Sequence, residues 1–293
     1  MYAEPPLRPG TGPARPWLEI VIPARNEERR LAAGLAKLSA AISALPVSVA
    51  VVVIDSASED RTGEVVRRWP AGSVPVRLVR CDRPGKGAAV RAGLLATTAP
   101  YVGFCDADMA ADPVAILSAV GLLLAGDRVV LGSRSHPESD VEDRHTAIRR
   151  VGAAAFRAAT RAIVPGIGDT QCGFKFFDGD LARAAAARLR VSGFAFDVEL
   201  IARCVQLGAT PVEIPVRWRD VDGSTFSVWR HSLSSFAELA VAWRALRLRP
   251  SAADPVASGW LADGQADSED VPGGAGKATS GCAGRPARRQ HSR

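Results

Sequence analysis

Between residues 17 and 249, short apolar runs alternate with stretches whose apolar positions recur every three to four residues. LEIVIP (18–23) predicts a buried strand, and residues 27–44, with Leu and Ala at helical spacing, predict an amphipathic helix. VSVAVVVID (47–55) predicts a second strand. In the turn after it, Ser58 or Asp60 is placed to cap a helix over 61–69. The alternation continues with strands at 74–80, 101–108 and 128–134 and helices at 86–97 and 113–125. Strands that are apolar throughout, joined by single helices, predict an α/β, doubly wound, mostly parallel central sheet with helices on both faces. Ligands of such sheets bind at the carboxyl ends of the strands. Here those ends carry the polar residues at 25–27, 55–60, 106–108 and 132–134.

The residues outside this body have a different character. The leader (1–16) contains PPLRPGTGPARP, and the tail (250–293) is rich in Gly, Ser, Asp and Ala. Both are expected to be disordered around a single domain at 17–249. No internal repeat is present. The 293 residues suffice for that core, and 47% hydrophobic against 23% charged residues excludes wholesale disorder. The formal charge of +6 comes almost entirely from Arg, the lysines being Lys37, Lys86, Lys175 and Lys277. It forms no dense run before the tail, and without an aromatic platform or recognition motif it does not indicate nucleic acid. Five cysteines without C-x-x-C or Cys/His spacing read as reduced, buried residues of a cytoplasmic protein. The leader lacks an apolar signal region, and no stretch reaches the ~18–20 apolar residues of a membrane span.

The candidate chemistry starts with Asp106-Ala107-Asp108, where strand alternation points both carboxylates to one side. Carboxylates that close repel unless a cation lies between them or water screens them. A hard divalent ion bridging carboxylate and diphosphate oxygens is the economical reading. In IVIPARNE (20–27) a Pro stops the strand and presents Arg25, Asn26 and Glu27, although Glu27 equally suits the positive end of a helix. Asp55 is either a turn former or an acceptor for the imide N–H of uracil or an exocyclic amine. Gly85-Lys86-Gly87 opens a helix where amides, dipole and ammonium suit an anion, without the spacing of a Walker loop or dinucleotide fingerprint. DTQCGFKFF (169–177) breaks the strand–helix rhythm with a polar elbow followed by aromatics. GFAFDVEL (193–200) opens a helix with Asp197 and Glu199 near its start, which dipole pairing alone also explains. In residues 231–249, Leu233, Phe236, Leu239, Ala240, Trp243 and Leu246 share a helical face beside Arg244, Arg247 and Arg249. That face is either a core stripe or an interfacial membrane helix.

In this order and spacing, eight segments resemble family 2 glycosyltransferases: VIPARNE (21–27), VVVIDSASEDRT (51–62), GKGAAVRAGL (85–94), CDADMAADP (105–113), LGSR (131–134), DTQCGFKFF (169–177), FAFDVEL (194–200) and PVRWRDVDGS (215–224). The likeness is greatest to the dolichyl-phosphate β-glucosyltransferase and polyprenyl-phosphate mannosyltransferase branch. It implies a GT-A fold, a nucleotide-sugar donor, Mg or Mn, and inversion at the anomeric carbon. Pro23, Ala24, Arg25 and Glu27 would line the nucleotide pocket, with Lys86 added for its anion affinity, and Asp55 would bind the base. Asp106 and Asp108 would hold ribose, metal and diphosphate, Asp108 as the direct ligand. Arg134 and Arg149 would engage an acceptor phosphate, and Asp169, Gln171 and Lys175 would face the transferred sugar. A lipid phosphate is already anionic and needs positioning more than a base. An alcohol acceptor would need a carboxylate to take its proton, and Asp169 and Asp197 are the candidates. Three residues depart from the family pattern: Ser56 for an acidic residue or Asn, Ala57 for Gly, and Thr225 for Lys. A transmembrane anchor, which relatives using lipid acceptors often have, is not expected here.

The expected reaction is transfer of glucose or mannose to a polyprenyl phosphate, with UDP-glucose preferred as donor over GDP-mannose. The expected location is cytoplasmic, with peripheral membrane contact through 231–249. One rival is the same chemistry on a soluble acceptor such as a secondary metabolite. The other is a sugar-phosphate nucleotidyltransferase, whose Gly-rich loop should stand where PARNE follows the first strand.

Overall fold

The computed structural model describes residues 15–70, 74–142, 147–219 and 228–247, with the side chains of 147–153 and 228–234 left undescribed. The expected leader and tail therefore lie almost wholly outside the described residues. The strands are β1 (Leu18–Ala24), β2 (Val49–Ser56), β3 (Val76–Cys81), β4 (Tyr101–Cys105), β5 (Val129–Ser133), β6 (Asp140–Glu142), β7 (Phe174–Asp178), β8 (Val212–Pro215) and β9 (Arg217–Arg219). The helices are α1 (Leu31–Ile42), α2 (Thr62–Arg67), α3 (Lys86–Ala96), α4 (Ile116–Ala125), α5 (Ala147–Arg161), α6 (Gly179–Ala187), α7 (Phe196–Gln206) and α8 (Val228–Arg247).

Seven strands form the central sheet in the order β3-β2-β1-β4-β7-β5-β8, and β6 pairs with β9 in a separate ribbon. Strands β1 to β4 run parallel, as does the β5–β8 pair, whereas β7 runs antiparallel to both neighbours. Alternation along the apolar strands divides the core in two. Val21, Val52, Ile54 and Phe104 pack with α3, α6 and α7, while Ile20, Ile22, Val51 and Val53 pack with α1 and α4. Both faces are covered, so a continuous Val/Ile run is the pattern this sheet requires.

The boundaries and one strand depart from the sequence expectation. The first helix begins at Leu31 rather than at 27, because the left-handed Asn26 (φ 54°) and a turn intervene. The strand at 101–108 ends at Cys105, so Asp106 to Asp108 occupy a turn, closed by the Met109 N–H donating to the Asp106 carbonyl at 3.0 Å. The polar elbow at 169–173 leads into β7, whose Phe174 pairs with Cys105. This reversed strand brings the elbow to the carboxyl edge of β4.

Candidate active site

Three chain reversals build the floor of the site. Among the described residues, the non-glycine residues with positive φ are Asn26 (54°), Ala57 (50°) and Met109 (48°), which follow β1, β2 and β4. Such conformations cost an L-residue about 1–2 kcal/mol each, and they persist where neighbouring bonds over-determine them. Those bonds are present. The Asn26 N–H donates to Ser58 Oγ (3.0 Å), the Glu59 N–H to Asn26 Oδ1 (2.9 Å), and the Glu27 N–H to Thr62 Oγ1 (2.8 Å). Asp55 accepts from the Ser58 N–H at 3.1 Å, which is the turn role that the sequence left open. Ala57 holds the left-handed conformation that its usual glycine adopts freely. Arg25 is exposed, Pro23 is half-buried, and Ala24 lies in the core, with only its backbone available to a ligand. Glu27 is not free, since both its oxygens accept from Arg30 at 2.8 and 2.7 Å. Burial still holds its carboxyl above the ordinary range against the pull of Arg30, with Asp108 and Asp60 adding to the effect.

Asp106 and Asp108 meet in the turn beyond β4. The Asp106 N–H donates to the Gly173 carbonyl at 3.0 Å, and a β-carbon at 173 would fall inside the Asp106 carboxylate. Lys86 Nζ donates to Asp106 Oδ1 at 2.5 Å. Burial pulls the Lys86 ammonium down, but Asp106 and Asp197 outweigh it and leave its pKa raised. Burial, then the charge of Asp106, raises the Asp108 carboxyl, and the Ala110 N–H and Lys86 only partly offset this. The ionised form of Asp108 is thus disfavoured without a nearby cation, and hard carboxylate oxygens suit Mg or Mn. Among the described residues no group of three His, Cys, Asp or Glu side chains is placed to hold an ion.

The third cluster comes from β5 and the elbow. Arg134, just past β5, donates to Asp169 through Nε (2.6 Å) and Nη2 (2.9 Å), and its backbone N–H reaches the same carboxylate at 3.0 Å. Burial raises the Asp169 carboxyl, but Arg134 and the Gln171 N–H overcome it and hold it at about 2. Glu213 on β8 secures this loop by accepting from the Gly168 and Asp169 N–H groups at 2.8 and 3.0 Å. The Arg134 guanidinium lies 5.7 Å from the Trp218 ring centre. Gln171 Nε2 is buried and bonds to no atom of the described residues.

Residues 19–184 match the family model described as glycosyl transferase family 2. The chain belongs to that family. This family 2 glycosyltransferase is 31% identical to the dolichyl-phosphate beta-glucosyltransferase of Drosophila melanogaster, over 77% of this chain and 74% of the relative. It is 29% identical to the enzyme of the same name from Dictyostelium discoideum, over 74% and 71%. Its fold is shared with glucosyl-3-phosphoglycerate synthase from Mycobacterium tuberculosis in complex with UDP. There the TM-score is 0.57 at 21% identity, covering 84% of this chain and 88% of that one.

The glycosyltransferase brings together Glu27, Lys86, Asp106 and Asp108 and separates others that the sequence grouped with them. Lys175 and Asp197 are 0% and 1% exposed and pair with each other at 2.5 Å, so neither presents a side chain at the surface. Asp169 is 4% exposed with both oxygens bonded. Asp169 therefore has no free oxygen, and Asp197 is buried beneath the surface with one oxygen held by Lys175. Arg149 lies in α5, and its side chain is outside the described residues, as is Thr225. Sequence reasoning missed Gly173, Arg30 and Trp218. For Gly173 a signal existed, since a glycine between a polar elbow and an aromatic strand marks a close approach. Trp218 stood only within the PVRWRDVDGS segment, with no role attached, and Arg30 gave no signal.

The stripe in α8 is divided. Leu239 and Ala242 are buried, whereas Phe236 and Trp243 are 40% and 44% exposed. The buried face lies about one residue away from the expected one. A cavity of about 480 Å³ between Ile163, Ile167, Val205, Trp243, Leu246 and Arg247 shares no lining residue with the acidic turns.

Proposed function

We propose that the protein is an inverting glucosyltransferase that uses UDP-glucose and a divalent cation to glucosylate a polyprenyl phosphate. The observation that carries this reading is the Asp106–Asp108 turn at the sheet's carboxyl edge, in a chain whose similar relatives are named for dolichyl phosphate and glucose. Asp108 would be the direct ligand of Mg or Mn, and Asp106 would share the ion with the donor's ribose and diphosphate. The bound cation neutralises charge developing on the leaving diphosphate. Asp55, which pairs with Ala24 at the end of β2, would bind the base, with Pro23, the Ala24 backbone and Arg25 lining the pocket. Gln171 supports contact with the transferred hexose, because its buried amide nitrogen finds no partner among the described residues.

An ionised phosphate acceptor attacks without losing a proton, so positioning outweighs base catalysis. The fully bonded Asp169 and the buried Asp197 agree with that, and Asp169 becomes a positioning residue for Arg134. Arg134, together with Arg149 on α5, would receive the acceptor phosphate. The exposed Phe236 and Trp243, with Arg244 and Arg247 beside them, support peripheral contact of α8 with the inner face of a membrane.

The test incubates purified protein with Mg or Mn and UDP-glucose, GDP-mannose or other nucleotide sugars, with and without a short polyprenyl phosphate. UDP release from UDP-glucose that rises with lipid phosphate is expected. Release stimulated only by a soluble alcohol or sugar phosphate would overturn the acceptor, and preference for GDP-mannose would overturn the donor.

A further inference from the structure

We infer that Lys86 is a built-in counter-ion that occupies the Asp106 carboxylate until a donor diphosphate draws its ammonium away, so that cation and sugar nucleotide enter together. The inference rests on the proposed metal site and concerns what holds that site before it fills. Lys86 Nζ lies 2.5 Å from Asp106 Oδ1, on one of the two carboxylates a cation would need. Of its other acidic neighbours, Asp108 and Asp197, the latter is committed to Lys175 at 2.5 Å inside the core, and Asp106 is the carboxylate in direct contact with Lys86. The carboxylate has little room to move away, because it sits where a β-carbon of residue 173 would be.

The charges explain why both cations cannot stay. Asp106, Asp108 and Asp197 face Lys86 and Lys175, a net charge of one negative. A divalent ion entering beside Lys86 would place two cations on one carboxylate and turn that balance positive. An incoming diphosphate offers Lys86 a second anion at the N-terminus of α3, where amides and dipole favour one. The backbone need not shift. Gly85 (φ +120°) packs closely against the Ser192 carbonyl and fixes the backbone there, so the change the inference requires is confined to the four-carbon arm of Lys86.

Three roles for Lys86 predict different binding behaviour. A purely structural ion pair leaves metal binding unchanged or weaker when removed. A simple phosphate ligand weakens nucleotide binding alone. A counter-ion weakens nucleotide binding and also tightens metal binding in the absence of nucleotide.

Mn2+ binding to wild type, Lys86→Met and Lys86→Gln would be measured by electron paramagnetic resonance, without nucleotide and with UDP, alongside thermal melts. Both variants are expected to bind Mn2+ alone about tenfold tighter than wild type, from loss of one adjacent positive charge. UDP affinity without metal should fall, and the mutual enhancement between UDP and Mn2+ should shrink by about the same tenfold factor. Folded variants whose nucleotide-free Mn2+ affinity equals or falls below that of wild type overturn the inference alone. Loss of cooperative melting in both variants would make Lys86 a structural brace and overturn it too. If wild type binds no Mn2+ even with UDP, the metal reading fails and the inference with it.

Discussion

At position 173 the missing β-carbon is a steric requirement, because the Asp106 carboxylate fills its place. Gly173→Ala should push that carboxylate out of the site while leaving both core layers intact. We expect turnover to fall by about a hundredfold or more, as misplacement of a ligand by about 1 Å does elsewhere, with little change in melting temperature. Near-normal turnover would show that Asp106 need not stay where it is. Asp108 illustrates the opposite balance. Burial and the neighbouring Asp106 raise its carboxyl, so its ionised form is disfavoured until a cation arrives. A raised acid costs stability as pH rises through its folded-state pKa, and metal binding should strengthen over the same interval. Mn2+ titrations from pH 4 upward should show affinity climbing above the ordinary carboxylate range, and an affinity flat with pH would contradict this.

Between elements, two ion pairs join segments that are remote in sequence. Lys175 on β7 and Asp197 on α7 pair in the core, and Lys175 also donates to the Cys172 carbonyl at 2.6 Å. Lys175→Met would leave a buried carboxylate uncompensated and should cost about 3–5 kcal/mol in urea denaturation. Adding Asp197→Leu should recover most of that loss, and failure to recover would mean that the pair holds more than its own charges. The Arg134–Asp169 pair ties the elbow to β5. Its acid is depressed from an ordinary 3.8 to about 2, so its contribution is present above pH 4 and lost as pH falls toward 2. That contribution is about 2 kcal/mol. Arg134→Gln should reduce stability at neutral pH and flatten its acid dependence in this window, which melts between pH 2 and 5 would reveal.

At the scale of the whole molecule, the catalytic edge and α8 make different demands on the surface. The acidic turns are polar and charged, whereas Phe236, Val241 and Trp243 expose apolar area beside Arg244 and Arg247. The Arg247 guanidinium lies 3.5 Å from the Trp243 ring centre, an arrangement suited to an apolar–polar boundary. Phe236→Ser with Trp243→Ser should weaken co-sedimentation with anionic vesicles severalfold, while UDP-sugar binding stays unchanged. Equal sedimentation would remove α8 from membrane contact. The sheet itself was legible for β1 to β5, whose unbroken apolar runs answer to burial on both faces. β7 was not, because an antiparallel insertion between β4 and β5 leaves no local mark in FKFFD beyond its aromatics. The division of the α8 stripe was equally hidden, since a helical face is fixed only by what packs on it.

The succession of elements from β1 to β5, and the polar residues waiting at those strand ends, follow from the sequence alone, because a doubly covered strand must be apolar along its whole length. Tertiary structure decided which acids remain available. Asp106 meets Lys86, Asp169 meets Arg134 and Asp197 meets Lys175 across 20, 35 and 22 positions of chain. An ion pair depends on which distant loops the fold brings together, and no local pattern of residues encodes that meeting.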